Sequence, residues 1–215
     1  MIRFHAVWFA PVVATLLSFA LGTKSALAQT QYLFETIQNY ETTFVPITAN
    51  ISKVTNIGES IDAPYGLTNL INTNYSLIDS NSGAVTFNSD PATFGLEGLP
   101  FGSVSFFGQG NEKLFGTISG TAALDFQNLV GTASGTITIT GGSGRFSGAT
   151  GKLSFLENDI LSPDPTASIK SRAVVSGSFQ TFQSVPEPRN TTTLVVMGVI
   201  GFGLLLRRRS LGVAG

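Results

Sequence analysis

The 215-residue chain has no cysteine and a single histidine, His5, and only 12% of its residues are charged. His5 lies in a segment that reads as removable, so the working protein carries neither imidazole nor thiol. That excludes a Ser-His-Asp triad, a Cys nucleophile and a zinc centre built on His or Cys, and no cofactor is called for. Low charge, 24 glycines and a mean hydropathy of +0.27 speak against a disordered acidic tail, a coiled coil or a basic nucleic-acid binder. The length suits one domain with appendages. Without disulfides, that domain holds by its core alone.

What the chain does have is concentrated at its ends. Met1 is followed by a cation at Arg3, an apolar stretch from Val7 to Leu21, and Ser25-Ala26-Leu27-Ala28. A charged start, an apolar run and an A-x-A site are the three parts of a secretory signal. Small side chains at Ala26 and Ala28 fit the shallow pockets of a signal peptidase, which places the cut before Gln29 and residues 1–28 in a signal helix that is removed. The partners this implies are the export machinery and its peptidase.

Between 29 and 184 stand 12 acids and six bases, a net charge of −6 hidden behind the whole-chain value of −1. A mildly acidic exported domain favours solubility and disfavours DNA and anionic lipid as partners.

After Ser184 the composition shifts to Val185-Pro186-Glu187-Pro188, a short polar spacer, an uncharged run and Arg207-Arg208-Arg209. The 16 residues 191–206 span about 24 Å as a helix, a little under the roughly 30 Å hydrocarbon core, and snorkelling arginines absorb the difference. The sequence therefore predicts a single transmembrane helix here. The arginine triplet sets its end in the cytoplasm, and the preceding domain faces outward. Prolines on both sides of Glu187 hold it in extended backbone, open to a protease that reads extended peptide.

Residues 185–215 resemble the PEP-CTERM sorting signal of Gram-negative and cyanobacterial exported proteins. The resemblance implies that Pro186, Glu187 and Pro188 are read by an exosortase, that 191–206 anchor the chain transiently in the membrane, and that Arg207, Arg208 and Arg209 stop its transfer. The destination it implies is the cell surface, outer envelope or extracellular matrix, where exopolysaccharide is a candidate partner.

The middle of the chain alternates apolar and polar residues between turn signals, with little helical periodicity. Strands are expected at 43–49, 51–55, 67–78, 84–87, 103–107, 113–124, 135–140, 152–157 and 173–182. Closely spaced strands without helices predict an all-β antiparallel barrel, or alternatively a β-sandwich. Thr136 to Thr140 shows the pattern, with Ile137 and Ile139 on one face and three threonine hydroxyls on the other.

Five glycines fall between Gly141 and Gly151, around Phe146. They permit positive φ and close backbone approach, while Phe146 pins the connection. No helix and no Lys-Ser/Thr follows, so a phosphate loop is disfavoured. Gly141-Gly142-Ser143-Gly144-Arg145-Phe146 resembles a loop of plant dirigent proteins and, more distantly, of allene oxide cyclases. That resemblance implies an eight-stranded antiparallel barrel with an apolar cavity.

Candidate chemistry is sparse. Asp79-Ser80-Asn81-Ser82-Gly83 begins like a calcium loop, but position twelve is Asp90 followed by Pro91, and Asp and Asn also favour turns, so a hairpin loop is expected. Asp62, Asp159 and Asp164 read as turn residues. Any two of the 12 acids are free to converge as glycosidase carboxylates do, and no pair stands out. Phe106, Phe107, Phe115, Phe126, Phe146, Phe155, Phe179 and Phe182 read as core. Trp8 lies in the signal, which leaves Tyr65, after Pro64 in a loop, as the first residue to test for sugar contact. The leading expectation is a non-catalytic surface or matrix component. A lumen binder of a small apolar or carbohydrate ligand and a dirigent- or cyclase-like enzyme stand behind it. A lumen filled by Phe and Ile favours the first, and a cavity with convergent Asp, Arg or Tyr favours the others.

Overall fold

The computed structural model describes residues 27–184 apart from 165, and the expected signal helix, sorting motif, transmembrane helix and arginine triplet lie outside these except for 27–28. Gln29–Phe182 forms one compact unit. It is all-β: β1 (Leu27–Pro46), β2 (Ile51–Glu59), β3 (Asn69–Ile78), β4 (Ala84–Asn88), β5 (Ser103–Phe107), β6 (Lys113–Asp125), β7 (Val130–Ser143), β8 (Thr150–Ile160) and β9 (Ile169–Ser184). The strands form one sheet in the order β2-β1-β9-β8-β7-β6-β4-β3-β5, and further pairing of β2 with β3 closes it into a ring. Every pairing whose register is described is antiparallel.

β4 and β5 share one place in the ring. β4 pairs with Tyr75–Ile78 of β3 and with Ser119 to Ala123 of β6, while β5 pairs with Asn69 to Thr73 of β3 and with Lys113 to Gly116 of β6. Nine strands thus occupy eight positions.

Alternation places the core. On β7, Ile137 and Ile139 are buried, while Thr138 and Thr140 are not, because successive side chains point to opposite faces. The inward glycines Gly120 and Gly135 have a different task. A Cβ at Gly120 would stand 2.6 Å from Phe87 Cζ, and one at Gly135 would stand 2.9 Å from Phe155 Cε1. Two rings therefore pack against bare backbone, their centres 6.1 Å apart.

The expected strands all occur, but the first begins at Leu27 instead of 43. Its inward residues include Thr36, Gln38 and Thr42, all buried, whereas Leu33 is exposed. A strand with polar residues inside and apolar residues outside hides its alternation from a hydrophobic count. Among the phenylalanines expected in the core, Phe106, Phe146, Phe155 and Phe179 are buried, while Phe115, Phe126 and Phe182 face outward. Phe115 covers Gly141 on that outer face.

Candidate functional site

One end of the ring is stoppered by aromatic side chains. The 3-10 turn at Gly144–Phe146 follows β7, and its Phe146 is fully buried. Phe146 meets Phe179 edge-on at 5.3 Å and Tyr32 at 5.2 Å, and Tyr65 closes the group at 5.8 Å. The Arg145 guanidinium lies 5.0 Å from the Phe146 ring centre and 5.5 Å from that of Tyr65, and its Nη2 donates to the Tyr65 carbonyl at 2.9 Å. The glycine-rich connection is thus pinned by Phe146, as its sequence implies. Tyr65, the first residue to test for sugar contact, has its hydroxyl donating to Leu33 O at 2.7 Å, and its backbone takes a φ of 62°.

Beyond the stopper the interior is hollow. A cavity of about 100 Å³ gives room for several waters, one of which needs roughly 10–15 Å³. Its two walls differ in chemistry. Phe87, Val104, Phe106, Ile118 and Ile137, from β4 to β7, with Phe155 of β8, make an apolar wall. Tyr40, Asn56, Asn72, Asn74, Glu157 and Asp159 make a polar one, contributed by β8, β1, β2 and β3, with Phe44, Val54 and Leu70 of the same strands set among them. Register builds the polar wall in rows, since Thr42 stands opposite Asn56 and Asn56 opposite Asn72.

Several of these groups lack partners. The Oδ1 atoms of Asn56, Asn72 and Asn74 are buried without a hydrogen bond; both polar atoms of the Gln38 amide and the Thr181 hydroxyl, which do not line the cavity, are unpaired as well. Each such atom costs about 1–3 kcal/mol, so a wall that carries several calls for an occupant.

Glu157 and Asp159 meet on this wall. Inward alternation along β8 runs Leu153, Phe155, Glu157, Asp159, so both carboxyls share one face. Asp159 accepts a 2.6 Å hydrogen bond from Ser171 Oγ, its direct neighbour on β9. Burial, followed by the hydrogen bond and negative charge of Asp159, pushes the Glu157 carboxyl up to about 8. The Tyr40 hydroxyl beside them is pushed well above the usual phenol range, by burial first and then by the charge of Glu157.

Asp159 is therefore not the turn residue its composition suggests. It is a buried strand residue, and with Glu157 it forms the carboxyl pair that the sequence left unidentified. The other acids read as turn residues do serve turns. Asp79 Oδ1 accepts from Asn81 N at 2.9 Å and Oδ2 from Ser82 Oγ at 2.7 Å, and Asp164 Oδ1 accepts from Thr166 N at 2.9 Å. Asp62 Oδ1 accepts from Ser60 Oγ at 2.6 Å and from Thr36 Oγ1 at 3.1 Å, which ties the connection after β2 to β1 and lowers its carboxyl below the usual range. No family model matches the sequence, and none of the curated proteins is similar to it.

Proposed function

We propose that this chain is an exported, non-catalytic β-barrel protein that holds a small amphipathic ligand in its lumen and is delivered to the cell surface through its C-terminal tail. Eight strand positions closing on themselves match the smallest barrels that enclose a single small ligand. The observation that carries this reading is the mixed lumen, whose lining combines aromatic rings with amides that have unmatched oxygens. A purely structural domain has no use for that expense, since apolar filling would be more stable. For that reason a lumen binder supersedes the matrix component favoured by composition alone. Residues 1–28 supply export, and Pro186, Glu187 and Pro188 supply recognition by an exosortase, with 191–206 as a transient membrane anchor and 207–209 as its stop.

A dirigent- or cyclase-like enzyme is the second reading, favoured by the paired carboxyls of Glu157 and Asp159 in a partly apolar cavity. Turnover of a bound ligand separates it from simple retention.

The test is recovery of the ligand. The protein as processed by its host, purified and extracted, is expected to release a small molecule detectable by mass spectrometry. Ala122, which lines the cavity, becomes the blocking position: Ala122→Phe is expected to fold and release none. A wild-type chain that releases nothing and binds no small molecule after extraction overturns the reading.

A further inference from the structure

Two acids share the lumen without a counterion. Among the described residues lining the cavity there is no lysine or arginine. The bases on the paired strand, Lys170 and Arg172, flank the inward Ser171 and are exposed, as is Lys152 on β8 itself. Arg145 belongs to the aromatic stopper. Partly desolvated negative charge with no partner in the protein is unfavourable and is relieved by a cation from outside.

Independent of the acids, Asn72 and Asn74 line the same cavity at 1% and 4% exposure, each with a carbonyl oxygen that meets no donor. An amide can turn to present that oxygen inward, where it suits an N–H of a ligand. The same cavity offers the rings of Phe87, Phe106 and Phe155, which accept an apolar body and whose faces attract positive charge.

The geometry points to a small organic ammonium ion, with an aromatic or aliphatic body, as the ligand class: its charged nitrogen between the acids and the asparagines, its body against Phe87 and Phe155. This rests on the lumen being a ligand site. An anion would meet two acids and no base, and a neutral ligand would leave the acids uncompensated. A bare hard cation wants six to eight oxygens and leaves the aromatic wall unused. Among the described residues no group of three or more acidic, His or Cys side chains is placed to hold a metal ion.

A pH dependence follows. The groups facing Glu157 are Asp159 on its own strand, Tyr40 from β1 and the Ser171 hydroxyl from β9. None supplies positive charge, so the proton on Glu157 and the ammonium compete. Affinity for the cation rises as pH climbs toward and through about 8.

The experiment compares three probes of one shape: benzylammonium, benzyl alcohol and benzoate, titrated at pH 8.5, where Glu157 has lost its proton and benzylammonium keeps its charge, into the full chain in a non-ionic detergent. Binding is read by NMR shifts of Phe87 and Phe155. Benzylammonium is expected to bind about tenfold more tightly than benzyl alcohol, as for a partly buried charge pair, with benzoate weakest. Glu157→Gln and Asp159→Asn are each expected to erase that preference while sparing the alcohol. Unchanged shifts of Tyr65 and Phe146 certify that a variant is folded, and should Asp159→Asn fail to fold, Glu157→Gln carries the test. If the alcohol binds as tightly as the ammonium, or the variants keep the preference, the ammonium assignment fails and the lumen site stands. If no probe moves the lumen resonances, the lumen reading fails with it.

Discussion

Ser171 Oγ donates to Asp159 Oδ1 at 2.6 Å from the directly opposed position on β9. The hydroxyl fixes the Asp159 carboxylate, whose charge then falls on Glu157, two residues away on the same face of β8. Burial first, and then the hydrogen bond and charge of Asp159, keep a proton on the native Glu157 at pH values where the unfolded chain releases it.

The sign of the resulting pH dependence is set by proton counts. The Glu157 carboxyl titrates near 8 when folded against an ordinary 4.5, so between these values the native state binds more protons than the unfolded one. Stability therefore falls as pH rises from about 4.5 to 8 and levels off above it, by at most ~1.4 kcal/mol per pH step of one. Urea denaturation at pH 5, 7 and 9 measures this fall. Glu157→Gln, neutral throughout, is expected to flatten the curve and to be more stable than wild type at pH 9. A Glu157→Gln curve parallel to wild type would assign the dependence elsewhere.

Much of this was legible in the sequence, and the exceptions share a cause. The core strands announced themselves because Ile137, Ile139, Leu153 and Phe155 alternate with polar neighbours, and Phe146 stood out as the one large apolar residue in a glycine-rich connection. The polar wall did not, because Asn56, Asn72 and Asn74 are inward residues of the wrong chemistry for a core. A hydrophobic-in, polar-out count discards them. A signal for the acid pair existed all the same. Continuing the inward register of Leu153 and Phe155 by two and four residues puts Glu157 and Asp159 in the lumen. Outward phenylalanines such as Phe115 and Phe126 mislead in the opposite direction, since composition counts a ring without asking which face it takes.

The aromatic stopper predicts a large single-site effect. Phe146 is fully buried among Tyr32, Tyr65 and Phe179, so Phe146→Ala loses both transfer energy and packing, about 3–5 kcal/mol. Arg145→Ala removes two cation–ring contacts and one hydrogen bond at a part-exposed site and is expected to cost about 1 kcal/mol. Because the two residues share the Tyr65 ring, the double variant is expected to cost less than the sum. Chemical denaturation of the three variants checks both magnitude and coupling, and a Phe146→Ala cost under about 1 kcal/mol would mean the stopper is not part of the folded core.

Gly120 links the sheet to the size of the lumen. A methyl there would stand 2.6 Å from Phe87 Cζ and 2.3 Å from the Ser134 carbonyl oxygen, and the ring is the movable partner. Gly120→Ala is therefore expected to push Phe87 inward and destabilise by about 1–3 kcal/mol. The same change shrinks the cavity, so ligand affinity falls together with stability. Retained affinity alongside lost stability would show that Phe87 does not bound the ligand space.

The sorting tail makes its own prediction, independent of the lumen. If Pro186 and Pro188 hold Glu187 extended for an exosortase, replacing all three by alanine removes the restraint on the backbone and the side chains that are read. Such a chain is expected to stay in the membrane fraction of its host at unprocessed length, whereas wild type is recovered shortened at the surface. Converting Arg207, Arg208 and Arg209 to serine acts differently, since it removes the charges that fix the cytoplasmic end. Protease protection in intact cells then reports a lost or mixed orientation. Surface recovery of the alanine variant at the wild-type size would show that the motif is not what the processing enzyme reads, and unchanged topology of the serine variant would remove the stop-transfer role.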